Sequence, residues 1–401
     1  MLSAQSTPIV RATLPAVGAH LTTITELFYR RMFEERPELL RTLFNRANQA
    51  TGAQREALAG AVAAFATILV ERPGERPDAI LGRIAHKHAS LGITPDQYTL
   101  VGRHLLGAVA EVLGDAVTPE VGAAWDEVYW LMANALIAAE ARLYAEARVD
   151  SGDVWRDMEI AERTEESADA ASFVLRRPDG LPTGSFLPGQ YVSVQVELPD
   201  GAGQIRQYSL SSAPDRETWR ITVKRERPAD GAAPDGEVST WLHTHARTGD
   251  TLKVSLPFGD LILPDGDSPL VLASAGIGVT PMLSMLDHLA RTPSSRQVTV
   301  LHADRSPAHH AHRAEHTDLA SRLPGASLHV WYESGAGELA LPHAREGRAD
   351  LGDLPLPEDA TAYLCGPLPF MQAVRGGLIG KGLHPARIHY EVFGPDLWLS
   401  K

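Results

Sequence analysis

Cysteine is almost missing from this chain: its 401 residues include one, Cys365. A single thiol closes no intrachain disulfide, which fits a reducing cytoplasm. It also excludes thiolate metal clusters and any cofactor tethered through a pair of cysteines. Positive charge is short too. Lys and Arg number 37 against 50 Asp and Glu, and the formal net charge of −13 argues against nucleic acid or an anionic membrane surface as a partner. The longest apolar candidate, residues 57–70, is ended by Glu71-Arg72, short of the ~20 residues a membrane span needs, so no stable membrane association is expected. The start, Met1-Leu2-Ser3-Ala4-Gln5, has no basic region followed by an apolar core, so no signal peptide is expected. Internal repeats and long low-complexity tracts are absent. What remains, 44% hydrophobic and 22% charged residues, describes an ordinary globular protein long enough for two or three domains.

The pattern along the chain changes twice. Residues 1–148 carry almost no strand signal, and their apolar residues recur at helical spacing: Leu58, Val62, Phe65 and Leu69, then Tyr98, Val101, Leu105, Val109 and Val112, then Trp125, Val128, Tyr129, Met132, Leu136, Glu140 and Leu143. Thr94-Pro95 marks the start of the second stripe, with proline at the first helical position. Asp150-Ser151-Gly152-Asp153 reads as a hinge. From 153 to 264 short strands alternate with turns, as in 191–197, where Val192, Val194 and Val196 are expected to share one side. From 265 to 401 strands at 270–273, 298–302, 328–332, 362–365 and 389–393 alternate with helices, the rhythm of a parallel sheet. The expected fold is multidomain: all-α, then antiparallel β, then α/β.

Four polar residues sit on the apolar stripes of the helical module. His88 follows Leu81 and Ile84 at helical spacing and precedes Leu91, whereas His86 lies about 200° around the helix beside Arg83 and Ser90 and is expected to be solvated. Alone, His88 reads first as a core histidine bonded to a carbonyl. Tyr98, Gln54 and Glu140 change that. A buried glutamate without a partner costs several kcal/mol in desolvation, so the four together read as a polar site inside a helix bundle.

The carboxyl-terminal third carries the sharpest motif, Leu270-Val271-Leu272-Ala273-Ser274-Ala275-Gly276-Ile277-Gly278-Val279-Thr280-Pro281. It is an apolar run ending in a glycine turn that opens a helix, with Thr280 expected to cap and Pro281 at the first helical position, so that backbone can approach a phosphate. Cys365-Gly366-Pro367 ends a later strand; the thiol alone implies no reactivity. Asp304 and Arg305 follow the second strand, where an acid favours NADH and an arginine NADPH. His309, His310, His312 and His316 read as a histidine-rich surface loop rather than a metal site. A nucleotide reductase joined to a helical module with an apolar-face histidine implies electrons delivered to a metal.

Leu27-Phe28-Tyr29-Arg30-Arg31-Met32-Phe33, Pro37-Glu38-Leu39, Leu43-Phe44-Asn45, Asn48-Gln49, Gln54-Arg55-Glu56-Ala57-Leu58, residues 84–88, Gln97-Tyr98 and Val101-Gly102 together resemble the globin part of flavohaemoglobins. The rest resembles ferredoxin-reductase-type domains: Pro188-Gly189-Gln190-Tyr191, Arg206-Gln207-Tyr208-Ser209, Val223-Lys224-Arg225, Gly236 with Val238, Ser239, Trp241 and Leu242, and Tyr390-Glu391-Val392-Phe393-Gly394-Pro395 occur in the family's order. The resemblance implies a globin, a flavin-binding β-barrel and a nucleotide-binding α/β domain using haem b, FAD and NADH or NADPH. It implies His88 as proximal haem ligand tuned by Tyr98 and Glu140, with Phe44 on the haem and Tyr29, Gln54 and Leu58 on the oxygen side, which also admits a lipid. It gives FAD to Tyr191, Arg206, Gln207, Tyr208, Ser209, Gly236, Val238, Ser239, Val392, Phe393, Gly394 and Pro395, with Arg206 expected to meet the pyrophosphate. It gives the nucleotide to Gly276, Ile277, Gly278, Val279, Thr280, Pro281, Cys365, Gly366 and Pro367. Val279 and Val392 depart from the family's usual glutamine and cysteine, and Lys87 and Glu391 would tune electron transfer between the redox sites. The implied activity is oxidation of nitric oxide by oxygen to nitrate. The alternatives are a reductase for hydroperoxides or iron, and an oxygen or nitric oxide sensor.

Overall fold

Capping residues set the helix limits where the sequence places them. Thr94 and Gln97 form a reciprocal capping box ahead of Pro95, with the Thr94 N–H donating to Gln97 Oε1 at 2.8 Å. Gly92, at φ 77°, ends the preceding helix in the left-handed conformation. The computed structural model describes residues 1–75, 77–227, 235–338, 344–357 and 359–396. Its helices are α1 (Ser6–Glu35), α2 (Pro37–Thr42), α3 (Arg46–Ala50), α4 (Ala53–Glu71), α5 (Asp78–Leu91), α6 (Pro95–Leu113), α7 (Pro119–Glu146), α8 (Glu237–His245), α9 (Val279–Arg291), α10 (Arg313–Arg322) and α11 (Leu368–Gly380). The strands are β1 (Trp155–Glu165), β2 (Ala170–Arg176), β3 (Tyr191–Glu197), β4 (Gly203–Ser209), β5 (Trp219–Lys224), β6 (Thr251–Ser255), β7 (Leu270–Ala275), β8 (Val298–Asp304), β9 (Ala326–Tyr332), β10 (Ala344–Glu346), β11 (Thr361–Cys365) and β12 (Ile388–Glu391).

The helical unit encloses one core, to which the stripes supply Phe65, Leu105, Trp125, Val128 and Leu136, and α1 adds Val10, Ile24, Phe28 and Met32, which no stripe marks. Close approach of α6 and α7 requires Gly102, because a Cβ there would stand 2.5 Å from the Tyr129 ring. By length and composition α4 is apolar enough to cross a membrane, which corrects the shorter apolar run read from sequence. Its Phe65, Ala66 and Val70 lie in the helical core instead.

The first sheet has the order β4-β3-β6-β1-β2-β5. A bridge between Leu210 and Ile221 joins its two edges, so the sheet closes as a barrel, the arrangement that leaves no free edge. Strand β3 departs from simple alternation. Ser193 is buried together with Val192 and Val194, because its N–H donates to Ser255 Oγ and its hydroxyl accepts from Gln207 Nε2. The second sheet, β10-β9-β8-β7-β11-β12, is parallel in its described pairs. Strand β7 is buried throughout, as expected for a strand covered on both faces. The last strand stops at Glu391, two residues before the expected end.

Contacts gather the chain into two units. One is Met1–Trp155 with Glu197–Arg206 and the chain from Gly394; the other is Arg156–Val196 with Gln207–Phe393. Residues 197–206 belong with the helices because buried Gln204 donates to the carbonyls of Leu40, Arg41 and Phe44 at 3.2, 3.2 and 3.3 Å. In the second unit, Asp287 of α9 is fully buried. It accepts from the Ala213 N–H at 2.8 Å and from Arg216 through both carboxylate oxygens, at 2.8 and 3.0 Å, which ties barrel to parallel sheet. Asp287→Ala leaves the Ala213 N–H and the guanidinium without their acceptor. A loss of about 2–4 kcal/mol is expected in denaturant unfolding of this unit; a change under 1 kcal/mol would show the tie to be dispensable.

Candidate functional site

A hydrogen-bonded cluster lies between α5, α6 and α7. His88 Nδ1 is 2.9 Å from the Tyr98 hydroxyl and 2.9 Å from Glu140 Oε1. The Tyr98 hydroxyl donates to the same Oε1 at 2.5 Å. Tyrosine has one hydroxyl proton, and here it goes to Glu140. The imidazole proton therefore sits on Nδ1, shared between two acceptors, and Nε2 keeps its lone pair. Among the described residues no protein group bonds Nε2, and the His88 side chain is 32% exposed while that of Glu140 is 3% exposed. Burial, then the Glu140 charge, pushes the Tyr98 phenol well up, so it stays protonated. Tyr129 donates to the Tyr98 carbonyl and Tyr144 to that of Ile93, fixing the backbone on both sides. A lone-pair nitrogen backed by a carboxylate fits a residue that would hold a haem iron.

His86, expected in solvent, is half-buried, and Ser90 beside it is fully buried. The Ser90 hydroxyl donates to the Lys87 carbonyl of its own helix at 2.8 Å, which removes the cost of burying it. Lys87 is also half-buried. Burial and the Arg206 charge lower its pKa, and Asp396 opposes them.

Tyr29 on α1 is buried in an aromatic group, with ring centroids 4.6 Å from Phe28, 5.7 Å from Phe33 and 5.8 Å from Phe44. Burial raises its pKa, while the side chains of Gln54 and Gln49 at its hydroxyl oppose the rise. Leu58 packs against the same core. Gln49, whose buried Nε2 has no hydrogen-bond partner, and Phe33 were not singled out from sequence. The signal was present in the Asn48-Gln49 pair, but that stretch shows no helical stripe to phase it.

In the barrel, Ser209 ends β4 with a buried hydroxyl lacking a partner, as does Thr240 in the first turn of α8. Half-buried Tyr208 precedes Ser209. Tyr191 is buried, with its N–H donating to the Phe258 carbonyl at 2.8 Å. Val238 is buried and Gly236 caps α8. Ser239 Oγ donates to the Gly236 carbonyl and accepts from the Glu226 N–H. Phe393 is 46% exposed, flanked by half-buried Val392 and exposed Gly394, with Pro395 half-buried. The orphaned hydroxyls of Ser209 and Thr240 fit residues that would bond a flavin. Arg206 donates through Nη2 to Asn45 Oδ1 at 2.9 Å and through Nη1 to the Ile205 carbonyl at 2.7 Å.

The glycine turn after β7 is a short 3₁₀ segment, Gly276–Gly278, leading into α9. A Cβ on Gly278 would stand 2.3 Å from the Cys365 carbonyl oxygen, so this turn is pressed onto the end of β11, beside Gly366-Pro367. Two details differ from expectation. Thr280 donates to the Ile277 carbonyl at 3.0 Å and caps nothing, and α9 starts at Val279, which puts Pro281 third. Its missing N–H is still harmless there, since the first turn's amides have no intrahelical acceptor. Val279 is buried in the sheet core. Burial, then the charge of Glu391 at the end of β12, holds the Cys365 thiol well above its usual range. Asp304 turns inward, its carboxylate 3.6 Å from His302 Nε2, while Arg305 pairs with Asp169 at 2.5 Å.

Three family models match in sequence order: globin over residues 26–136, the oxidoreductase FAD-binding domain over 157–262 and the oxidoreductase NAD-binding domain over 272–376. A flavohemoprotein of Rhizobium meliloti (strain 1021) is 43% identical over 99% of this chain and 100% of its own length. The chain belongs to the flavohemoprotein family. Another flavohemoprotein, from Bacillus subtilis (strain 168), is 38% identical over 100% of both chains. The crystal structure of a flavohemoglobin from Malassezia yamatoensis with bound FAD and heme superposes with a TM-score of 0.87 at 37% identity, covering 98% of this chain and 100% of that one. The FAD/NAD-binding domain of a nitric oxide dioxygenase from Vibrio cholerae covers 60% of this chain at 38% identity, with a TM-score of 0.54. As a flavohemoprotein the chain is an NAD(P)H-dependent oxidoreductase that uses haem, FAD and a nicotinamide nucleotide.

Proposed function

We propose that this flavohemoprotein is a nitric oxide dioxygenase, turning nitric oxide and oxygen into nitrate with electrons from NADH or NADPH. The observation that carries the reading is the His88–Tyr98–Glu140 cluster: a buried carboxylate aimed at an imidazole N–H raises the donor strength of the far nitrogen, which an oxygen carrier does not need. The name of the Vibrio cholerae relative supports it. Haem supplies the iron at which the two gases react, and FAD links a two-electron hydride donor to a one-electron acceptor.

In this reading His88 Nε2 holds the iron, and Glu140 and Tyr98 hold the proton on Nδ1. Tyr29, protonated because it is buried, would donate to oxygen in the pocket, with Gln54 beside its hydroxyl and Phe44 and Leu58 excluding water. Ser209 Oγ and the Tyr208 ring take the flavin, and the backbone from Gly276 to Pro281 takes the nucleotide phosphates. The test is nitric oxide consumption by the purified protein with oxygen and either nucleotide. One nitrate per nitric oxide is expected; a reducible flavin and haem without nitrate would overturn the reading. Glu140→Gln keeps the shape of the cluster and removes its charge. Its expected cost is ~10–100-fold in turnover with haem still bound, and an unchanged rate would remove Glu140 from the mechanism.

A further inference from the structure

The parallel sheet carries a second histidine group, apart from the residues assigned above to haem, flavin and nucleotide. The sequence places these residues in a surface loop, but His310, His312 and His316 are buried. His302 on β8, His310 in the loop after it and His316 on α10 are 0%, 2% and 0% exposed, and each presents a ring nitrogen within 4.8 Å of the others'. His310 Nε2 and His316 Nδ1 are 3.1 Å apart. Two nitrogens on one tetrahedral ion, with bonds of about 2.0–2.1 Å, stand roughly 3.3 Å apart.

The surroundings match those of ligating imidazoles. Ser274 Oγ is 2.9 Å from His302 Nδ1, and the Tyr332 hydroxyl is 2.8 Å from His310 Nδ1. Such oxygen partners on the remote nitrogen orient metal-bound histidines. The Asp304 carboxylate, 3.6 Å from His302 Nε2, brings negative charge to the cluster. A histidine trio packed only for the core would be expected to satisfy its nitrogens. Here His302 Nε2, the nitrogen that Ser274 leaves over, is buried without a hydrogen-bond partner. An open cleft of about 470 Å³ lined by Glu166, His310, His312, Arg313 and Glu315 reaches the cluster. His312 is already committed, with Nδ1 3.1 Å from Glu166 and 3.0 Å from Glu315 and Nε2 2.8 Å from Thr222.

We propose that His302, His310 and His316 form a binding site for a divalent cation of the zinc class, with Asp304 as its counter-charge. Imidazole donors select zinc and its neighbours over magnesium or calcium, which prefer oxygen. Because the three ligands come from β8, its following loop and α10, the ion would staple that helix to the sheet. The test uses untagged full-length protein with haem and FAD in place, washed with chelator and given zinc alone. One equivalent is expected to bind, and zinc-edge X-ray absorption is expected to show three nitrogen donors at about 2.0–2.1 Å. His310→Gln and His316→Gln, made separately, are expected to weaken binding at least ~100-fold with haem and flavin spectra unchanged. No uptake by the wild type, an oxygen-only zinc shell, or full uptake by both variants would overturn the site. If neither variant folds, the wild-type absorption spectrum decides alone.

Discussion

His88→Ala is expected to yield a protein that folds and holds FAD but has lost haem, with affinity down by at least ~100-fold, while His86→Ala keeps it. The difference lies in proton placement. The Tyr98 hydroxyl proton is committed to Glu140, so the His88 proton must lie on Nδ1 and the donor nitrogen is Nε2. His86 is half-buried on another face of α5, apart from the cluster that His88 forms with Tyr98 and Glu140. Soret absorbance per polypeptide, with flavin absorbance as the folding control, reads the result. Full haem content in His88→Ala would reassign the ligand. Loss in both variants would point to α5 as a whole rather than to one nitrogen.

Tyr29→Phe carries the second large expectation. The substitution removes one hydroxyl from a buried aromatic group and leaves its rings in place, so haem content should not change. If the hydroxyl donates to oxygen in the pocket, its loss costs what the removal of one preorganised donor costs elsewhere, ~10²–10³-fold in turnover. Nitric oxide consumption at saturating oxygen and NADH measures it. A change within about twofold, against the ~100-fold expected, would take Tyr29 out of the chemistry and favour a reductase whose acceptor lies elsewhere.

What could be read in advance was whatever depends on neighbours in sequence. The Thr94-Pro95 start, the buried run of β7 and the phase of His88 are set within one or two helical turns or one strand, and the structure has them where the pattern puts them. What could not be read depends on partners far along the chain. Four histidines in a short polar stretch look like a solvated loop until Tyr332 and Thr222 arrive from two other strands to bond His310 and His312. Ser193 in β3 is buried only because Ser255 and Gln207 meet it. Gln204 sides with the helices through three carbonyls more than 150 residues away. Small offsets have local causes instead: Pro281 lies third in α9 because the 3₁₀ turn uses up Gly276–Gly278 first.

Cys365 is the chain's one thiol, fully buried at the end of β11, with its proton held on by burial and by Glu391. Nitrosation, glutathionylation and peroxide oxidation all require an accessible thiolate. In the proposed role, amid nitric oxide and partly reduced oxygen, the one thiol of this chain would therefore be closed to these reagents, and the electron path would run without a cysteine that nitrosation could switch.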